Sequence, residues 1–228
     1  AYLLPKEIPI IFPNNKDLIG NKWYNNYQKE VTLVKISEKL NLNKTQFELD
    51  FVDIDVNTDL PLFIDSNLIR KYDSEFNAKL SDTMDSFFTY LINTLSNGMD
   101  EQAKYLCSRL SEINETHLGL SKGVSQGKGV GPISAIKIFE GLKNSQAIEN
   151  GVLENIEDLR VLVHGFDRDM LSDMLTNILK KHLLDYTIEQ CELLNIETIQ
   201  SVPSGYYWNE KTCRWENEYT NRLVIDNK

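Results

Sequence analysis

An α+β fold is predicted by three observations. Short β-branched and aromatic runs occupy the chain before residue 70, apolar residues recur at three and four between about 74 and 195, and an aromatic hairpin pattern closes the sequence. The expected organisation is a strand-rich part over 1–70, a helical region over 71–196 and a β-hairpin over 197–228, forming one compact unit.

Within the first part, Ile8, Ile10, Ile11 and Phe12 read as a first strand broken by prolines. "VTLVKI" (31–36), "FELDFVDIDV" (47–56) and "LPLFI" (60–64) read as further strands, the last preceded by a turn-like "NTD". From Ser74 the period changes. Phe76, Leu80, Met84, Phe87, Leu91 and Leu95 lie on one helical face, with Ser74 as N-cap and Gly98 as stop. A second helix is expected over 101–113.

Pro132 suits the first turn of the next helix, whose apolar positions are Ile133, Ile136, Phe139 and Leu142. "NIEDLRVLVHG" (155–165) predicts a short helix. Asp167 is the expected N-cap of a long one over about 168–195, with Leu171, Leu175, Ile178, His182 and Tyr186 along its stripe. "TIQSV", "GYYW" and "TCRW" around "NEK" predict the terminal strands and hairpin.

The chain has 228 residues, 41% hydrophobic and 25% charged, the proportions of an ordinary globular protein. It offers no apolar run of about 18–20 residues for a membrane span, and its start lacks the pattern of a secretory signal. Cys107, Cys191 and Cys213 are too scattered for a disulfide framework or a zinc site. A cytoplasmic location is therefore expected. Net charge −10 argues against a chain coated in nucleic acid but leaves room for a local basic groove.

That groove is sought in "NETHLGLSKGVSQGKGVGPISAIKIFEGL" (114–142), which carries five glycines and two lysines between 119 and 131 before running into a helix. "KGVGPISAIKIF" fits the second half of a helix-hairpin-helix pattern. Gly127, Gly129 and Gly131 would let backbone N–H groups face a phosphate, the helix N-terminus would add its positive end, and Lys122 and Lys128 would supply counter-charge. Such contacts hold nucleic acid without reading its sequence. A glycine-rich loop that only turns the chain fits the same residues. A second, acidic helix–Gly–helix corner follows around Gly165.

In "FELDFVDIDV", Asp53 and Asp55 continue the side that is apolar upstream, so either a bulge resets the register or two carboxylates face a cleft. A solvated strand fits as well. Asp53, Asp55, Asp65 and Glu112 are the candidate ligands for Mg2+ or Mn2+. Glu115, Lys122 and His117 are the candidate catalytic residues, His117 as a base. Carboxylates, a lysine and a phosphate cradle are the ingredients of metal-dependent phosphodiester cleavage. Asp65 also suits a routine turn, and His182 a satisfied core side chain. No Gly-x-Ser-x-Gly elbow and no Walker-type loop is present.

Three segments, "PLFIDSNLIR", "NETHLGLSKGVSQGKGVG" and "HGFDRDMLSDMLTNIL", together resemble an uncharacterised family of bacterial proteins loosely associated with phage-defence or genome-maintenance contexts. The resemblance covers roughly residues 50–195 and implies a nucleic-acid role, with no residue roles to carry over. The expected function is thus a protein acting on nucleic acid, DNA more than RNA, as a metal-dependent nuclease of a defence system. The alternative is a non-catalytic subunit that binds a partner protein, for which Tyr206, Tyr207, Trp208 and Trp215 would form an exposed aromatic surface unless they pack as a hairpin.

Overall fold

The computed structural model describes residues 2–6, 10–11, 34–57, 63–110, 132–164 and 166–225. It is a mixed helical and β structure in which helices dominate and the strands form two-stranded antiparallel pairs.

The longest helix follows its sequence signals closely. α3 (Glu75–Ser96) begins where the Ser74 hydroxyl accepts from Asn77 N–H at 3.1 Å. It ends where Gly98, at φ +69°, turns the chain so that its N–H reaches Leu95 O and the Met99 N–H reaches Thr94 O. Leu80, Met84, Phe87 and Leu91 are fully buried along it. Each such side chain contributes about 1.5–3 kcal/mol of hydrophobic stabilisation. Before it come α1 (Ile36–Lys39) and α2 (Ser66–Lys71), and after it α4 (Asp100–Cys107).

α5 (Pro132–Lys143) opens on its proline, as the missing N–H and fixed φ favour. Ser145 caps the short α6 (Gln146–Glu149), and a 3₁₀ turn over Ile156–Asp158 leads into α7 (Leu159–Leu162). The single helix expected over 168–195 is two. α8 (Arg168–Ile178), capped by Asp167 as expected, and α9 (Lys180–Leu193) meet at Leu179, whose φ −87° and ψ 4° leave the helical region. Leu179 is itself fully buried, so the apolar stripe runs through the break and periodicity gives no sign of it.

Fewer strands occupy the described N-terminal residues than the β-branched runs predict. β1 (Ile10–Ile11) pairs antiparallel with β2 (Phe63–Ile64). Ile36, expected in a strand, starts α1 instead. The run 47–56 makes only isolated bridges, Phe51 to Pro5 and Asp55 to Lys35. From Phe51 to Asp55 no side chain is exposed, whereas Phe47, on the expected apolar side, is, so alternation fails as a guide.

At the C-terminal end, β3 (Ile199–Pro203) pairs with β6 (Tyr219–Arg222), with a register shift at Ser201, whose φ is +55°. Between them β4 (Tyr207–Asn209) and β5 (Arg214–Glu216) form the expected hairpin, with Trp208 directly opposite Trp215. Phe87 of α3 meets both indoles, at 5.0 and 5.4 Å between centroids. Trp208 Nε1 donates to Ser86 Oγ and Trp215 Nε1 to Leu106 O. Tyr207, Trp208 and Trp215 are thus core residues, which removes them from any exposed docking surface; only Tyr206 of that group is exposed.

The main core gathers α3, α4, α5, α8 and the hairpin, together with Tyr2 and Leu4. A second cluster joins Leu3, Ile36, Leu49, Phe51, Ile54, Cys191 and Leu223. The extended segment at residues 2–4 therefore sends alternate side chains into two cores. The Leu3 N–H donates to Thr187 Oγ1 at 3.0 Å, and Val52 N–H to Leu4 O at 2.8 Å. Cys107 and Cys191 act as apolar fillers, as expected, and burial pushes their thiols up to about 12 and about 11.

Candidate functional site

Three of the carboxylates considered as cation ligands fall on described residues, and each serves the backbone. Asp53 accepts from the Ser37 N–H at 3.0 Å and from the Ser37 hydroxyl at 2.8 Å. Lys35, the N-cap residue of α1, offers no side-chain acceptor, so Asp53 caps that helix from outside. Asp55 accepts from Val34 N–H at 2.7 Å through one oxygen and from Asn57 N–H at 2.8 Å through the other. Asp65 is the N-cap of α2, accepting from Leu68 N–H at 3.0 Å.

Magnesium or manganese needs several oxygen ligands free to point at one place. Asp53 and Asp55 have both oxygens engaged, and Asp65 faces its own helix. These three do not fit a cation site. Among the described residues no three His, Cys, Asp or Glu side chains are placed to share a metal.

Glu112, Glu115, His117, Lys122, Gly127, Lys128, Gly129 and Gly131 lie outside the described residues. What frames them is described. α4 ends at Cys107 and α5 starts at Pro132, and the two helices pack together, with Lys143 paired to Asp100 and Lys104 lying 5.5 Å from the Phe139 ring centroid. Just past α4, the Arg109 guanidinium stacks 3.8 Å from the centre of the Tyr206 ring.

A feature missed by motif reading is a cleft of about 540 Å³ beside α5. Lys137 and Gly141, one turn apart on α5, and Asn144, just past its end, line it together with the apolar Leu162, Phe166 and Met170. Gln146 and His164 lie at its edge. In sequence Lys137, Glu140 and Asn144, spaced at three and four, look like any solvated helix face, and nothing in the string reveals that they share a cleft with Leu162, Phe166 and Met170.

The remaining histidine of interest, His182, is half-buried and has a hydrogen-bond partner. Its Nε2 lies 2.8 Å from Thr83 Oγ1, which in turn donates to Glu210. Burial holds the imidazole below its ordinary range, opposed by the nearby Glu210 and Asp185 carboxylates. Glu210 meets the threonine rather than the histidine, so the trio lacks the nucleophile–base–orienter order of a hydrolytic triad.

The model of a domain of unknown function (DUF8370) matches residues 41–228, most of the chain. The chain belongs to this family. The DUF8370 match takes in the three carboxylates, the glycine-rich stretch, the α5 cleft and the tryptophan hairpin, and leaves the segment at residues 2–6 ahead of it. No curated protein and no solved structure matches the chain.

Proposed function

We propose that the chain binds nucleic acid, DNA in preference to RNA, through its sugar-phosphate backbone, at the stretch leading into α5. The observation that supports this reading most is that a helix of 12 residues does begin at Pro132, directly after Gly129-Val130-Gly131. Its positive end therefore adjoins the glycine- and lysine-rich stretch. In this reading the amides of Gly127, Gly129 and Gly131 and the ammonium groups of Lys122 and Lys128 hold phosphate. The stronger form is a Mg2+- or Mn2+-dependent nuclease of a bacterial defence system. It now rests on Glu112, Glu115, His117 and Lys122, because Asp53, Asp55 and Asp65 are engaged elsewhere.

Fluorescence anisotropy with a labelled 12-nucleotide strand and its duplex tests the binding. Lys122→Ala with Lys128→Ala should weaken both complexes and lower the salt-dependence slope by about one per lysine removed. Absence of binding at low salt by either probe would overturn the reading. Product formation with Mg2+ or Mn2+, abolished by a chelator and by Glu115→Gln, separates nuclease from binder.

The second reading, a non-catalytic domain that meets a partner protein, draws on α7, where Val161 is 83% exposed beside the 41% exposed Leu162. Adjacent exposed aliphatics of this kind suit an interface.

A further inference from the structure

We propose that the cleft beside α5 receives one unstacked base of a bound single strand. This rests on the nucleic-acid reading above and extends it by assigning a place to the base as well as to the backbone.

Position is the first argument. Lys137 stands five residues into α5, about 8 Å along the axis from Pro132 at 1.5 Å per residue. A strand held at the front of α5 and running along the helix would meet Lys137 first, then Gly141, and Asn144 beyond the helix end.

The lining chemistry is the second. Leu162, Phe166 and Met170 give an apolar wall against which a flat ring can lie. Asn144 and Gln146 each carry an amide donor and a carbonyl acceptor, the complement of a base edge. Lys137 is offset by Glu140 in the same lining, so the cleft has no cationic excess to hold a phosphate inside it. A neutral, planar, hydrogen-bonding heterocycle fits this combination better than an anion does. The volume, about 540 Å³, lies within the roughly 300–1,000 Å³ usual for small-ligand sites.

Among the described residues, the side chains of Lys137, Asn144, Gln146 and His164 make no hydrogen bond or ion pair within the protein. Gly141 lets α5 and the apolar wall approach each other closely: a Cβ there would already be in van der Waals contact, 3.4 Å from the Phe166 ring and 3.6 Å from Val163 and from the His164 carbonyl.

The test compares the same two probes, the labelled 12-nucleotide strand and its duplex, on the full chain. Leu162→Trp fills the cleft at a partly exposed position, and Asn144→Ala with Gln146→Ala strips its polar edge at two exposed ones. Each should weaken single-strand binding about tenfold, the scale of losing one packed base, and leave the duplex unchanged. Circular dichroism confirms that both variants fold. Unchanged single-strand affinity in both, or equal loss for strand and duplex, would overturn the base site. If Lys122→Ala with Lys128→Ala weakens binding while the cleft variants do not, the backbone reading stands and only the base site falls. If the unaltered chain binds neither probe, both fall.

Discussion

Asp53 holds two donors of Ser37 at once, and its removal strands both in a buried place. Hydrogen bonds to a charged acceptor are worth about 1.5–3 kcal/mol each, and an orphaned buried donor costs about 1–3 kcal/mol. Asp53→Ala should therefore lower the free energy of urea unfolding by about 2–4 kcal/mol. Asp65→Ala, which only uncaps α2, should cost about 1 kcal/mol, and Asp65→Ser should restore most of it. Were Asp53 a cation ligand, added magnesium would raise the melting temperature of the unaltered chain and not of the variant; no such difference is expected.

His182 adds a pH dependence of definite sign. In the unfolded chain the imidazole takes a proton near pH 6.5, whereas burial in the fold delays this to lower pH. Between the two values the unfolded chain holds more protons, so stability rises with pH across that window. The contribution is complete above about pH 6.5 and is lost as pH falls through the folded value. The groups facing the ring are Glu210, Asp185, Lys79 and Lys181, and none reverses the direction set by burial. Urea-unfolding free energies between pH 5 and 8 should slope less in His182→Gln than in the parent; parallel profiles would assign the slope to another group.

Helices and strands differ in how far the sequence reveals them. α3 was legible because cap, stripe and glycine stop all lie within its own span, and α5 because its proline marks the start. The α8–α9 break was hidden by an apolar residue placed at the bend itself. Residues 47–56 misled because their acids answer to backbone groups sixteen and twenty-one positions upstream, a relation no local period encodes. For the same reason the cation-ligand reading of Asp53 and Asp55 could not be settled from spacing. Between elements, a helix hydroxyl ties down a strand: Ser172 Oγ of α8 accepts from Ile64 N–H of β2 at 3.0 Å, in the interior. Ser172→Ala should cost about 1–3 kcal/mol and speed hydrogen exchange at the Ile64 amide beyond that of neighbouring core amides.

Across the whole molecule, the tryptophan hairpin is part of the main core. Trp215 touches Phe87 and Trp208 and donates to the carbonyl at the end of α4. Trp215→Ala should cost about 3–5 kcal/mol, and a chain cut after residue 197 should lose the cooperative thermal transition, which calorimetry would register. The tether from Leu3 N–H to Thr187 carries a further consequence. During translation, residues 2–4 emerge early yet find that hydroxyl only after α9 has left the ribosome, 184 positions later. Nascent chains stalled before that point should stay sensitive to protease around residues 2–4, and resistance there should arrive in one late step.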